Sequence, residues 1–238
     1  MRKVGYSTGA LAKGDFRRAL GMLQQAGVAL IELSALRQNE LQPLAEALPD
    51  LDLSSFSYVS VHAPSSIEDG TEKDVLAFLN TFAKCELPII IHPDAIRDFS
   101  GWRNFGSLLL VENMDVRKRI GRTAVELSEI FLKLPEAALC LDLGHARQVD
   151  STMSEAALIL SRFGDRLKQL HVSEVNTLSH HESLSLSAIR AFNKIARLIP
   201  EDCPLILETP VGPEDILKEV DLALDALASN DSISAGVA

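Results

Sequence analysis

Eight short apolar runs recur along this chain, each followed by a stretch with helical periodicity. That alternation restricts the fold more than any other feature. The runs begin near Val4, Leu30, Tyr58, Ile89, Leu108, Leu139, Leu167 and Leu205. A strand buried on both faces of a parallel sheet reads as a short apolar run, whereas a half-solvated strand alternates. Between the runs, Phe16, Leu20 and Leu23 share one helical face, as do Val75, Leu76 and Leu79. Further faces are Ala124, Leu127, Ile130 and Phe131; Ile189, Phe192, Ile195 and Ala196; and Ile216, Val220 and Leu224. Ala157, Leu158, Ser161 and Arg162 give a weaker stripe. The interval from Ile91 to Leu108 is short, which predicts a helix reduced to a turn or two around Ser100-Gly101-Trp102-Arg103. Eight strand–helix units with no linker-like shift predict the α/β class: one (β/α)8 barrel over residues 1–238, rather than a doubly wound sheet. The small polar residues Ser229 to Ala238 are expected to fray.

Six of the runs end in a residue able to bind a metal: His62, His92, Glu112, Asp142, His171 and Glu208. In a parallel barrel all strand C-termini open on one face, so the six converge there. Three carboxylates and three imidazoles in one desolvated place repel or lose charge unless something compensates them. A divalent metal does so, and mixed His and carboxylate donors suit Zn²⁺ or Mn²⁺ better than Ca²⁺. A metal site at the C-terminal face follows. His145, in Asp142-Leu143-Gly144-His145, joins the set if Gly144 allows a sharp turn that returns the imidazole over the strand end. His180 and His181 follow strand 7. His181 is the better candidate ligand and His180 is read as solvated. Glu32, ending Leu30-Ile31-Glu32, is a wall residue, a base, or an outward-facing strand residue.

Two other features are weighed for substrate contact. Trp102 either stacks on a sugar or base or seals the reduced helix. Glu174 is an acceptor for a ligating histidine, a substrate contact, or an exposed loop charge. The run Arg117-Lys118-Arg119 with Arg122 follows strand 5 on the mouth side. It attracts phosphate or is simply solvated.

The formal net charge of −10 weighs against a nucleic-acid partner, whose footprint is basic. The count omits bound cations, which would make the mouth locally positive. Three cysteines, Cys85, Cys140 and Cys203, include no Cys-x-x-Cys, and the two in apolar surroundings are expected reduced and buried. The N-terminal residues lack an apolar signal segment, and no run reaches the roughly 18 apolar residues of a membrane span, so a cytoplasmic setting is expected.

The ordered set Ser60-Val61-His62-Ala63-Pro64, Ile91-His92-Pro93, Val111-Glu112-Asn113, Leu141-Asp142-Leu143-Gly144-His145, Leu170-His171-Val172-Ser173-Glu174 and Leu207-Glu208-Thr209 resembles the xylose-isomerase-like barrels. That superfamily includes sugar phosphate isomerases and epimerases and the endonuclease IV enzymes (AP endonuclease family 2). The likeness spans nearly the whole chain. For the isomerase and epimerase branch it implies one central metal on Glu112, Asp142, His171 and Glu208. For the endonuclease IV branch it implies three zinc ions. The first lies on His62, His92 and the bridging Glu112, and the second on Glu112, Asp142, His171 and Glu208. The third involves His145 and His181. Two departures bear on that third ion. Ser179 stands where the family has an aspartate, so either Glu182 or His180 substitutes or the third metal is absent, and the Gly-Glu-Gly that commonly follows is missing, with Leu184-Ser185-Leu186-Ser187 near its place. The chain is also shorter than a typical endonuclease IV.

Three functions are therefore in view. The leading one is metal-assisted hydrolysis of a sugar-linked phosphate ester, with Glu112 bridging and Glu208 or a metal-bound hydroxide as the base. The second is a sugar or sugar-phosphate isomerase or epimerase in which Glu112 and Glu208 exchange protons at carbon. The third is a non-catalytic metal- or sugar-binding barrel.

Overall fold

A computed structural model describes residues 2–228, so the expected fraying of 229–238 lies outside the described residues. In chain order the elements are β1 (Val4–Ser7), α1 (Thr8–Ala12), α2 (Phe16–Ala26), β2 (Leu30–Ser34), α3 (Gln38–Ala47), β3 (Tyr58–His62), α4 (Glu72–Ala83), β4 (Ile89–Ile91), α5 (Phe99–Trp102), β5 (Leu109–Glu112), α6 (Ala124–Lys133), β6 (Ala138–Asp142), α7 (Leu143–Val149), α8 (Ser154–Phe163), β7 (Leu167–Val172), β8 (Glu174–Val175), β9 (His181–Glu182), α9 (Leu186–Asn193), β10 (Leu205–Leu207) and α10 (Ile216–Ala226). Eight parallel strands close in the order β1-β10-β7-β6-β5-β4-β3-β2, and β8 and β9 form a separate antiparallel pair beyond the barrel. This is a (β/α)8 barrel.

Strand parity separates two apolar environments. Odd positions such as Ile31, Val61, Ile89, Ile91, Leu109, Val111, Leu139 and Leu141 belong to the large core between barrel and helices. Ile90, Leu110, Ala138 and Cys140 form their own buried set. They share the face of Glu112 and Asp142, because residues two apart on a strand point the same way. The barrel interior is thus apolar low down and ligand-rich at the top. β1 and β2 approach so closely that a Cβ on Gly5 would lie 2.3 Å from the Leu30 carbonyl oxygen, which requires glycine there.

The helices follow the expected faces with one exception. On α8 the buried residues are Ala156, Ile159, Leu160 and Phe163, while Leu158 is exposed. The stripe through Ala157, Leu158, Ser161 and Arg162 is therefore the wrong face. Apolar residues surround this helix, and the i, i+3, i+4, i+7 series with the larger side chains is the one that packs. The short interval before β5 holds the four-residue α5 and a 3-10 stretch, Arg103–Leu108, as its spacing predicts. Cys140 and Cys203 are buried and Cys85 is exposed, all unpaired. Among the described residues, no helix is long and apolar enough to cross a membrane.

Candidate metal centre

The strand ends bring the predicted residues together. His62 closes β3, Glu112 closes β5 and Asp142 closes β6, while His92 and Glu208 directly follow β4 and β10. His171 is next to last in β7. Glu112 lies at the middle and its two oxygens face different groups. Oε2 stands 3.1 Å from His62 Nε2 and 3.3 Å from His92 Nε2. Oε1 stands 3.3 Å from His145 Nδ1 and 3.4 Å from His171 Nδ1. His171 Nδ1 is also 3.5 Å from Glu208 Oε2.

Three overlapping donor groups compact enough for one ion result: His62, His92 and Glu112; Glu112, Asp142, His171 and Glu208; and His62, His171 and Glu208, which draws on both of the others. Three atoms of the second group, Asp142 Oδ2, His171 Nδ1 and Glu208 Oε2, are buried without a hydrogen-bond partner. Buried polar atoms are normally paired, so this concentration of orphaned lone pairs fits a cation among Glu112, Asp142, His171 and Glu208. The supporting contacts agree. His62 Nδ1 donates to the Ala63 carbonyl at 2.7 Å, which leaves Nε2 for a ligand. Asp142 Oδ1 accepts from the His145 backbone N–H at 2.6 Å, which caps α7 and leaves Oδ2 unused.

That cap, not a sharp turn, brings His145 to the site. Gly144 lies within α7, and its role is close approach: a Cβ there would sit 2.6 Å from Val175 Cγ2 and 2.7 Å from the Ser173 oxygen. His145 and His181 face one another with ring centroids 5.6 Å apart. His181 Nδ1 meets Ser173 Oγ at 2.7 Å and lies 3.7 Å from Glu208 Oε2. Among the described residues no such group of three donors forms around them. Ser179 exchanges hydrogen bonds with the Gln148 amide, so its hydroxyl is engaged. Among the described residues the compact donor groups gather around Glu112 and Glu208, and His145 and His181 belong to none of them.

The electrostatics of the metal-free cluster are those of crowded opposite charges. Burial would raise the Glu112 carboxyl, but His171 and His92 outweigh it and hold it well below the ordinary value. Burial pushes Glu208 up to about 8; His171 opposes, while Glu112 and Asp142 add to the rise. Burial disfavours charge on His145, yet Asp142 and Glu112 raise it to about 10. Burial lowers His181 to about 4.

Three predicted contacts fall elsewhere. Trp102 is fully buried, donates from Nε1 to Glu72 Oε1 at 2.8 Å and packs near Phe105. It seals the reduced helix and cannot stack on a substrate. Glu174 pairs with Arg147 at 2.8 Å and accepts from the Ser185 N–H, tying α7 to the start of α9, so it is neither a substrate contact nor an acceptor for a ligating histidine. Glu32 is buried inside the barrel beneath His171, so it is neither outward-facing nor open to a substrate. His180 is exposed. Sequence reasoning assigns no site role to Asn113, which bonds to both backbone groups of Asp142, or to Tyr58 and Gln169, which are bonded to one another inside the barrel.

The site opens into a cavity of about 220 Å³ lined in part by His62, His92, Glu112, Arg117, Lys118 and Glu208. A second cavity of about 400 Å³ shares Leu36, Ser179, His181 and Glu208 with it and runs on to Ser7, Ala10, Lys13 and Pro210. Arg117 pairs with Asp115 at 3.1 Å and Lys118 with Asp94 at 2.7 Å.

No protein-family model and no curated protein matches the sequence. Solved structures do match over nearly the full length. Endonuclease IV from Thermus thermophilus superposes with a TM-score of 0.62 at 20% identity, covering 94% of this chain and 98% of that one. A 3-keto-D-glucoside 4-epimerase from E. coli gives 0.59 at 14%, covering 96% and 100%. A xylose isomerase domain protein from Alicyclobacillus acidocaldarius gives 0.61 at 12%, covering 94% and 99%. The chain has the fold of the xylose-isomerase-like barrels.

Proposed function

We propose that this chain is a divalent-metal-dependent phosphoesterase acting on a phosphate ester of a sugar. The observation that carries the reading is the division of Glu112, with one oxygen toward His62 and His92 and the other toward His171 and His145. A single-ion site has no use for the first pair. Arg117 and Lys118 lie on the wall of the same cavity, where a phosphate would find cations already held in place by Asp115 and Asp94. The endonuclease IV neighbour is consistent with this choice. The net charge of −10 favours a small sugar phosphate over a nucleic acid.

Zn²⁺ or Mn²⁺, when bound, supplies Lewis acidity to the phosphoryl oxygens and acidifies the attacking water. The chain's own residues do the rest. Glu112 holds its two donor groups in one frame. Glu208 borders both cavities and takes the proton from the attacking water. His145 and His181, facing one another beside Glu208, orient the ester oxygens.

A sugar isomerase or epimerase is the second reading. It is favoured by the group Glu112, Asp142, His171 and Glu208, which is complete without the outer histidines, and by the engaged hydroxyl of Ser179. One preparation separates the two. Protein purified without chelator should carry two ions per chain by elemental mass spectrometry and release phosphate from sugar phosphates. One ion per chain, with solvent deuterium entering a ketose at carbon in the presence of Mn²⁺, would select the isomerase instead.

A further inference from the structure

Beneath the donor layer, four side chains from three strands form a hydrogen-bonded polar set inside the barrel, in which Glu32 Oε1 alone of the carboxylate oxygens has no partner. Glu32 on β2, Gln169 and His171 on β7 are all fully buried. Tyr58 on β3 completes the set. Glu32 Oε2 accepts from His171 Nε2 at 2.9 Å and from Gln169 Nε2 at 2.7 Å. The Tyr58 hydroxyl donates to Gln169 Oε1 at 2.8 Å. We infer that Glu32 is a positioning residue, held by Gln169 and Tyr58, that fixes the tautomer and tilt of His171 so that Nδ1 is offered to a metal ion. The inference rests on the metal reading of the site above.

One arrangement serves the Glu32 carboxylate best. Burial keeps the Tyr58 phenol protonated, and it donates to Gln169 Oε1, while Gln169 Nε2 lies 2.9 Å from His171 Nε2 beside Glu32. The Gln169 amide nitrogen then points to Glu32. The reverse orientation would set an amide oxygen 2.7 Å from a carboxylate oxygen, two acceptors with no proton between them. With both neighbours donating to Glu32, His171 Nε2 carries a proton. Nδ1 has no hydrogen-bond partner, faces Glu112 Oε1 and Glu208 Oε2, and is the nitrogen left to offer a cation. One ring nitrogen is anchored below and the other is free above, as a ligating imidazole requires.

The tilt matters beyond His171. The His62 ring stacks on it at 5.8 Å and 20°. A change in His171 therefore reaches the other donor group. Glu32 itself lines neither cavity beside the site, so it serves the reaction only through His171. A buried carboxylate is costly, and here His171 and Gln169 offset the cost and hold Glu32 below its ordinary pKa.

The test uses Co²⁺ loaded into the full chain, followed by its visible spectrum and by chelator competition. Glu32→Gln keeps volume and removes charge. It should weaken the more loosely held ion roughly 10- to 100-fold and shift the cobalt bands. Tyr58→Phe, which frees the Gln169 amide but leaves Glu32, should shift the same bands with a smaller loss. It carries the test if Glu32→Gln does not fold. Wild-type affinity and unmoved bands in both variants would overturn the inference alone. Wild-type protein that takes up no cobalt would overturn the metal reading and the inference with it.

Discussion

Asn113 and Asp142 are latched by two hydrogen bonds: Asn113 Nδ2 donates to the Asp142 carbonyl at 3.0 Å, and the Asp142 N–H donates to Asn113 Oδ1 at 2.7 Å. The side chain after β5 thus satisfies the backbone at the top of β6, where the ladder gives way to the α7 cap. Asn113→Ala leaves both Asp142 backbone groups buried and unpaired, a cost of about 1–3 kcal/mol for each group left unsatisfied. Chemical denaturation should show the loss, and Asn113→Asp should not restore it, because a carboxylate cannot donate to the Asp142 carbonyl. Unchanged stability of Asn113→Ala would count against the latch.

Metal stoichiometry should separate the ligands. His92 belongs only to the donor group His62, His92 and Glu112, whereas Glu112 also belongs to the group with Asp142, His171 and Glu208. His92→Ala is expected to reduce two ions per chain to one, and Glu112→Ala to leave neither tightly held. A Glu112→Ala protein that kept both ions through gel filtration would exclude a bridging role.

Much of this site is legible in the chain because strand parity is a two-residue rule. A polar residue ending an apolar run must face either the helices or the barrel interior, and six such endings facing one mouth make a cluster. Glu32 obeys the same rule yet stays ambiguous, because its partner His171 lies 139 positions away and is reached only when the barrel closes. Gln169 is hidden for the same reason, although it shares a strand face with His171. Gly144 misleads in a different way. Glycine in a strand-to-helix junction reads as a turn, while here its value is the missing Cβ against Val175. Trp102 cannot be placed from sequence, since its decisive feature is a hydrogen bond to Glu72, 30 residues back.

The sealing role of Trp102 predicts a clean separation of stability from chemistry. Trp102→Ala removes a fully buried indole and should cost about 3–5 kcal/mol. Metal content per folded chain should stay at the wild-type value. A lower metal content at unchanged stability would return Trp102 to the site.

Metal uptake should release protons. In the metal-free protein Glu208 titrates near 8 and His145 near 10, so both hold protons at pH 7. Both values are raised relative to the ordinary ones, so the protonated forms dominate below them and are lost as pH climbs through them. A cation competes for the Glu208 lone pairs. Adding Zn²⁺ at pH 7 in weak buffer should therefore acidify the solution, and apparent affinity should rise with pH up to about 8. Affinity independent of pH between about 6 and 8 would contradict a protonated Glu208.

Two glycine substitutions should move stability in opposite directions. Gly144→Ala places a methyl 2.6 Å from Val175 Cγ2 and 2.7 Å from the Ser173 oxygen, and backbone cannot yield as a flexible side chain can. Overpacking of this kind costs about 1–3 kcal/mol. The strain falls between α7 and the β7–β8 junction, so His145 shifts and the strand end carrying His171 and Ser173 shifts with it. Gly21, inside α2, has nothing within 4 Å of its added Cβ. Gly21→Ala there removes unfolded-chain entropy and should stabilise by about 0.4–1 kcal/mol. Thermal denaturation of the two variants beside wild type measures both. Gly144→Ala melting at or above wild type would show that α7 can move away from Val175, and with it that the position of His145 is not fixed by this contact.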